Sequence, residues 1–309
     1  MSDSTTAKTS HLHGVISVLV ALPFVSLTGL FGKFLTLSPL LIVQGRTVFD
    51  FGALLLALFF MRKKIFFSDL REWLWLALSG SILGVHWIAF FQAIQVSTVA
   101  IGLLSFASYP LFTNLLEPLF FREPLRVRNI FAALIVICGL ALMATSSSDD
   151  SNTIISGSVF HGILWGLMAG FGFAVLTLLN REHVRKHSSL LITCWQNGLA
   201  ALVILPWSLS ESWILSGIEL GLLFLLGVVC TVGGHTLLIN GLRHVRAQVA
   251  SLLIAGLEPF FAILFALFLL GEVPSLQTLL GGVLIISTTV FIIYSTEKKG
   301  IPEQAVSKL

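Results

Sequence analysis

Apolar residues occupy long blocks along this chain, separated by short polar segments, and polar residues do not alternate with them inside the blocks. Most blocks are about 18 to 24 residues long, and at about 1.5 Å per residue such a helix crosses a hydrocarbon core of about 30 Å. Backbone polar groups inside a bilayer must pair within the protein, and without the alternation of barrel strands the blocks are predicted to be helices. We predict ten spans, at residues 14–32, 39–60, 73–95, 98–121, 129–145, 159–180, 189–207, 218–240, 248–270 and 277–295.

Composition agrees with this pattern. Hydrophobic residues make up 56% of the chain and charged residues 11%, whereas a soluble domain carries about 25% charged residues. The net charge of +3 gives no reason to expect a nucleic-acid partner, and the blocks make the lipid bilayer the expected surroundings. The predicted fold class is an all-α polytopic membrane protein with ten transmembrane helices.

Lys and Arg residues orient these spans. If the N-terminus is cytoplasmic, every Lys and Arg falls on the cytoplasmic side except Lys33, which lies outside, and Arg46, which lies within a span. Such an excess of positive charge is typical of cytoplasmic loops. The sorting predicts a multi-pass protein of the cell (inner) membrane with both termini in the cytoplasm.

One stretch of the chain occurs twice. Residues 84–123 recur as residues 233–272 under a single ungapped shift, which indicates a duplication. The shift superposes Gly84 on Gly233, His86 on His235, Pro110 on Pro259 and Glu123 on Glu272.

The duplication divides the chain into two halves, residues 1–150 and 151–309, joined through the polar segment 146–156. Each half has five predicted spans, an odd number, so the second half enters the membrane from the opposite side. We therefore predict two inverted five-helix repeats. Inverted repeats are an architecture of secondary transporters, because two similar halves can exchange conformations and give alternating access.

Both copies resemble the EamA unit of the drug/metabolite transporter superfamily. The resemblance lies in a small-residue helix broken by a proline, an apolar run, a loop glutamate and a glycine-containing helix. In this chain those parts are residues 107–110, 122–124 and Gly139, and residues 255–259, 271–274 and 281–282. The resemblance implies that helices 1–4 and 6–9 surround a central cavity and that helices 5 and 10 are peripheral. It also implies transport of small metabolites.

We predict a secondary transporter that moves a small organic metabolite by alternating access around a central cavity. We expect the solute to be an amino acid or a related compound and the direction to be export. The first alternative is an uptake carrier for a cationic or nucleotide- or vitamin-like metabolite, and the second is a non-transport membrane protein such as an intramembrane enzyme. The chain has no HExxH, GxSxG or P-loop sequence. We therefore expect no catalysis and no cofactor. The expected oligomeric state is a monomer or a weak homodimer.

Charged side chains inside the spans are the first candidates for the substrate site. A charge at the centre of a span costs about 2.5–3.5 kcal/mol on insertion scales, so it normally faces a cavity or a partner. Arg46 and Asp50 lie four residues apart on one helix face and can pair. One hypothesis has Arg46 binding a substrate carboxylate with Asp50 as its resting counter-ion, and the other has a purely structural pair.

Glu258 lies near the middle of the ninth span, directly before Pro259. Proline removes a helical hydrogen bond and lets the helix bend. The carboxyl group can carry a proton, bind an ammonium group of the substrate, or hold the bend. Its repeat mate is Tyr109, next to Pro110, so we expect Tyr109 and Glu258 in the cavity wall and the two prolines as hinges.

Histidines and tryptophans inside the spans complete the candidates. His86 and His235 are expected at opposite depths, where they either relay protons, since histidine titrates near neutral pH, or hydrogen-bond within the bundle. Their spacing does not match that of metal ligands, and no metal site is expected. Trp87, Trp165 and Trp195 can cage an apolar or cationic part of the substrate, or can simply pack.

Overall fold

The computed structural model describes residues 2–121, 127–145, 157–242, 244–245 and 247–297, and the regular structure of these residues is helical throughout. The predicted linker 146–156 and Glu123 lie outside the described residues. The helices are α1 (Ser2–Phe34), α2 (Pro39–Phe60), α3 (Leu70–Val96), α4 (Val99–Phe106), α5 (Tyr109–Phe121), α6 (Val127–Ala144), α7 (Gly157–His183), α8 (Ser189–Ser208), α9 (Gly217–Phe224), a π-helical segment (Leu225–His235), α10 (Thr236–Gly241), α11 (Ala247–Leu270) and α12 (Leu276–Glu297).

These elements occupy the ten predicted spans. Within the described part of the chain, seven helical segments are long and apolar enough to cross a membrane, and three further helices carry shorter apolar stretches. Ser or Thr side chains mark several starts: Ser38 accepts the Leu41 N–H before α2, and Thr98 accepts the Ile101 N–H before α4. Such caps satisfy amide groups that have no partner within the helix. The predicted all-α polytopic fold is confirmed.

The fourth span is interrupted, where the span pattern alone predicted one helix. α4 ends at Phe106 and α5 begins at Tyr109. Pro110 lacks an N–H group and disfavours helical geometry in the residue before it, which accounts for the break at this point. Gly170 of α7 packs against the break, and a Cβ there would lie 3.0 Å from the Phe106 carbonyl oxygen. Pro259, by contrast, lies inside the continuous helix α11.

The eighth span contains the second irregularity. Its middle third, residues Leu225–His235, winds as a π-helix between α9 and α10. The Thr231 hydroxyl donates to the Leu226 carbonyl, five residues earlier, at 2.9 Å and so supports the wider turn. The sequence analysis did not predict this segment, because its apolar residues give no separate signal for a π-helix.

α3 lies in the interior of the bundle. It packs along α7 and α8 of the second half and meets α2 and α4 of its own half. α6 and α12, which are the fifth and tenth spans, pack against each other through Gly139 and Gly281 and join a smaller hydrophobic cluster apart from the main core. Buried charged and imidazole side chains, among them Arg46, His86 and His235, lie where α2, α3 and the π-helical segment meet.

Candidate functional site

A group of polar and aromatic side chains surrounds the indole ring of Trp87. The guanidinium carbon of Arg46 lies 3.7 Å from the centroid of this ring. The rings of His86 and His235 lie with their centroids 4.9 and 5.9 Å from it. All four side chains are at most 5% exposed. We refer to Arg46, His86, Trp87 and His235 as the central cluster; α2 and α3 of the first half and the π-helical segment of the second half supply its members.

The central cluster brings the two histidines closer together than their expected positions suggested. They were expected at opposite depths, but both rings lie against the same indole ring. Both α3 and the eighth span carry their histidine well inside the bundle, where the two halves pack together. The prediction of opposite depths did not anticipate that the two rings share this contact.

Arg46 is held from two sides. Its Nη2 donates to the Thr231 hydroxyl at 2.8 Å, and its planar face rests on Trp87. A desolvated cation–π contact contributes about 2 kcal/mol. Among the described residues, Nε and Nη1 of Arg46 and Nε1 of Trp87 have no hydrogen-bond acceptor. The guanidinium is thus fixed in direction while two of its nitrogens keep N–H groups available.

Asp50 lies one helical turn beyond Arg46 and is fully buried. The hydrogen-bonded pair that the sequence predicted is not formed, because neither carboxylate oxygen of Asp50 has a hydrogen-bond partner in the part of the chain that the structure describes. The guanidinium instead contacts Thr231 of the π-helical segment and Trp87 of α3. The two charges still attract each other through the protein, but a buried carboxylate without a direct partner is costly.

The two histidines differ in their hydrogen bonds. Nδ1 of His86 contacts the Ala169 carbonyl oxygen at 2.8 Å, and because a carbonyl only accepts, Nδ1 carries the proton. His86 is therefore bonded within the bundle. Nδ1 of His235 has no partner among the described residues. His235 also lines a cavity of about 20 Å³ together with Thr177 and Asn180.

Glu258 and Tyr109 are both buried, at 2% and 0% exposure. The Ser26 hydroxyl of α1 donates to the backbone carbonyl of Glu258 at 3.1 Å. The Tyr109 ring stacks on Phe106 with centroids 5.2 Å apart and meets Phe173 edge-on at 4.9 Å. Both phenylalanines also contact the His86 ring, so Tyr109 is connected to the central cluster through aromatic packing.

The other two tryptophans lie elsewhere. Trp195 donates from its indole nitrogen to the Ile65 carbonyl at 2.7 Å, and its ring packs on Trp73 at 4.5 Å. It thereby anchors the loop between α2 and α3, and the structure does not bring it to the central cluster. Trp165 is half-buried on α7 and packs at the margin of the main core.

Hydrogen bonds join the two halves at the end of the bundle that is predicted to face outward. Glu219 accepts from the Thr36 hydroxyl at 2.6 Å, and Glu211 accepts from the Ser38 hydroxyl. Glu272 accepts from the Val99 N–H at 3.0 Å. Glu272 of the second half therefore caps α4 in the first half.

The opposite end has a contact of a different kind. Glu72 of α3 lies 3.6 Å from the His183 imidazole and 3.4 Å from that of His187. The contacts at the two ends were not predicted from the sequence, because the residues that form them lie more than a hundred positions apart. Across the described residues, no group of three or more His, Cys, Asp or Glu side chains is placed to hold a metal ion.

The fold and the central cluster define a polytopic helical membrane protein with a polar interior between two five-helix halves. The model of the EamA-like transporter family matches residues 12–145 and 160–294. The chain therefore belongs to the EamA-like transporter family, and the predicted family and transport class are confirmed.

Similar proteins agree with this assignment. The chain is 27% identical over 261 residues to the uncharacterized transporter YwfM of Bacillus subtilis, covering 81% of this chain and 84% of that protein. It is 28% identical over 225 residues to an S-adenosylmethionine uptake transporter of Rickettsia conorii, covering 72% of each. A solved crystal structure has the same fold, with a TM-score of 0.65, 16% sequence identity and coverage of 95% of this chain and 99% of that one.

Proposed function

We propose that this transporter moves a small zwitterionic metabolite, an amino acid or a compound with an amino-acid head group, and that Arg46 and Asp50 bind the two charges of that head group. One observation carries the proposal: Arg46 and Asp50 are both buried, one helical turn apart, and both have hydrogen-bonding groups without a partner among the described residues. Buried charges are normally paired, so opposite unpartnered charges favour a ligand that carries both.

The carboxylate of the solute is assigned to Arg46. Nε and Nη1 of the guanidinium and Nε1 of Trp87 can all donate to it. Hydrogen bonds between arginine and a carboxylate are charge-assisted and stronger than neutral ones. Thr231 and Trp87 fix the direction of the guanidinium before the solute arrives, which reduces the entropy lost on binding.

The ammonium group is assigned to Asp50. Both of its carboxylate oxygens can accept a hydrogen bond from the solute. Residues four apart on a helix have Cβ atoms about 5–6 Å apart, so one small head group can reach both Arg46 and Asp50. A solute with only one of the two charges would leave the other protein charge unpaired.

Proton coupling is assigned to Glu258 and His235. Glu258 is a buried carboxyl group on the helix that carries Pro259, and His235 lines a small cavity and has an Nδ1 atom without a partner among the described residues. His86, in contrast, uses Nδ1 to bind the Ala169 carbonyl, which supports a structural role. Pro110 and Pro259 remain the proposed hinges.

The proposed direction is export across the cell (inner) membrane, with both termini in the cytoplasm, and the Lys and Arg distribution supports this orientation. The halves 1–150 and 151–309 are the two moving units. The central cluster is built within one chain, so a monomer suffices for transport.

The second candidate function is uptake of S-adenosylmethionine, a sulfonium compound with an amino-acid head group, which the names of the Rickettsia relatives favour.

Counterflow in proteoliposomes tests the proposal. Vesicles are loaded singly with each common L-amino acid or with S-adenosylmethionine, and entry of the labelled compound is measured with and without a pH gradient. We expect exchange of at least one zwitterion, and loss of that exchange in Arg46→Gln and Asp50→Asn. Absence of exchange of every one of these zwitterions by wild type would refute the proposal.

A further inference from the structure

Thr231 connects the central cluster to the π-helical segment. Its hydroxyl oxygen accepts a hydrogen bond from Nη2 of Arg46 at 2.8 Å and donates one to the Leu226 carbonyl at 2.9 Å. The direction of both bonds is fixed, because arginine only donates and a carbonyl only accepts. The hydroxyl proton is therefore donated to the Leu226 carbonyl within the π-helical turn, and the hydroxyl oxygen accepts the bond from Arg46.

The π-helical segment is unusual enough to need a reason. π-helices are rare, mostly single-turn, and frequent at functional sites. This one covers Leu225–His235 and ends at a member of the central cluster. The bond from Thr231 to Leu226 spans five residues, which is the spacing of the π-helical turn.

Backbone packing ties this segment to the two charged residues. A Cβ on Gly227 would lie 2.7 Å from the Arg46 carbonyl oxygen and 3.2 Å from the Asp50 amide nitrogen. Glycine is the residue that permits such a close approach. A change in the winding of the π-helical segment therefore acts directly on the turn of α2 that carries both charges.

We infer that Thr231 is a positioning residue. Its hydroxyl orients the Arg46 guanidinium toward the solute and couples the position of the guanidinium to the winding of the π-helical segment. A solute carboxylate bound at Nε and Nη1 leaves the bond from Nη2 to Thr231 in place, so the guanidinium stays aligned while the solute is held. The inference rests on the proposed function, since it takes a carboxylate to be the ligand of Arg46.

Two matched variants separate orientation from simple packing. Thr231→Val keeps the size and the β-branch but removes the hydroxyl, and Thr231→Ser keeps the hydroxyl and removes a methyl group. For whichever L-amino acid or S-adenosylmethionine the wild type exchanges, we expect Thr231→Val to raise KM at least about tenfold, since a hydrogen bond to a charged group contributes about 1.5–3 kcal/mol. Thr231→Ser is expected to keep the wild-type KM. An unchanged KM in Thr231→Val would overturn the inference.

A second measurement needs no solute. Cys230 is buried next to Thr231 in the π-helical segment, and Cys138 and Cys194 are the other cysteines of the chain. In a Cys138→Ser, Cys194→Ala background, the rate of N-ethylmaleimide labelling reports how tightly the segment is held. We expect Thr231→Val to label at least several-fold faster and Thr231→Ser to label as the parent does.

Equal labelling rates in the three proteins would overturn the inference whatever solute is carried. If none of the tested zwitterions is exchanged by wild type while Thr231→Val still labels faster, the proposed function fails and the coupling of Thr231 to the segment stands. Size-exclusion profiles and thermal unfolding of the detergent-solubilised variants show whether each has folded.

Discussion

The two copies of the repeated segment place their irregularities at different positions. In the first copy, α3 is a regular helix through His86, and the break comes later, before Pro110. In the second copy, the break comes early, as the π-helical segment that ends at His235, and α11 continues through Pro259. Residues that share a position in the repeat therefore have different backbones.

This difference explains why matching residues have different surroundings. His86, on a regular helix, donates to a carbonyl of α7, whereas His235, at the end of the π-helical segment, has an Nδ1 atom without a partner in the described residues. Two halves of similar sequence thus adopt unlike geometries within one structure. Alternating access needs such an asymmetry, because the halves exchange conformations during transport.

The largest expected effect is at Arg46, whose hydrogen bond to Thr231 connects the two halves. Arg46→Gln should abolish exchange of zwitterions and also lower stability, because removing one partner of buried opposite charges costs about 3–5 kcal/mol. The double variant Arg46→Gln, Asp50→Asn should recover most of the thermal stability and none of the transport. Transport measured in the double variant at the wild-type rate would contradict the role of both residues.

Glu258 and Tyr109 test the repeat mates that differ in chemistry. Glu258→Gln should remove the response of transport to a pH gradient, or transport itself, while the fold is retained, because glutamine cannot carry a proton in exchange. Tyr109→Phe is the matched change in the first copy and should keep the pH response. Flux at two pH gradients measures both, and a wild-type pH response in Glu258→Gln would contradict proton coupling at this residue.

The two histidines sharpen the comparison further. His86→Gln should lower thermal stability by about 1 kcal/mol, the net contribution of one hydrogen bond, and leave the pH response of transport intact. His235→Gln should leave stability nearly unchanged and shift the pH response. Thermal unfolding and flux against pH, measured on both variants, would contradict the assignment if the two effects were exchanged.

The smallest expected effect is at Trp195, which the structure places away from the central cluster. Trp195→Phe removes the hydrogen bond to the Ile65 carbonyl and keeps most of the ring packing. We expect a loss of about 1 kcal/mol of stability and an unchanged KM for the transported solute. An increase in KM comparable to that of an Arg46 variant would return Trp195 to the substrate site.

The sequence predicted most of the fold because membrane spans follow from composition. The predicted span 39–60 has the same bounds as α2, and the duplication fixed the relation between the halves. The break before Pro110 agrees with the chemistry of proline, but Pro259 lies in a continuous helix, so proline alone did not predict where a helix is interrupted. The π-helical segment could not be predicted, because it depends on the Thr231 hydroxyl and on packing of Gly227 against α2.

The sequence predicted which residues form the candidate site better than it predicted how they are arranged. Arg46, Asp50 and Trp87 stand out because polar or interfacial side chains are rare inside spans. Their arrangement depends on Thr231, an ordinary residue in the sequence, whose partner lies 185 positions away. Such distant contacts are visible only once the two halves are packed together.

The central claim is that Arg46 and Asp50 together bind one zwitterionic head group. For the amino acid that wild type exchanges best, counterflow is measured for three compounds: the amino acid, its decarboxylated amine and its deaminated acid. We predict that wild type exchanges the amino acid and rejects the other two, and that Arg46→Gln and Asp50→Asn each lose exchange of the amino acid. Equal exchange of all three compounds by wild type would contradict the claim.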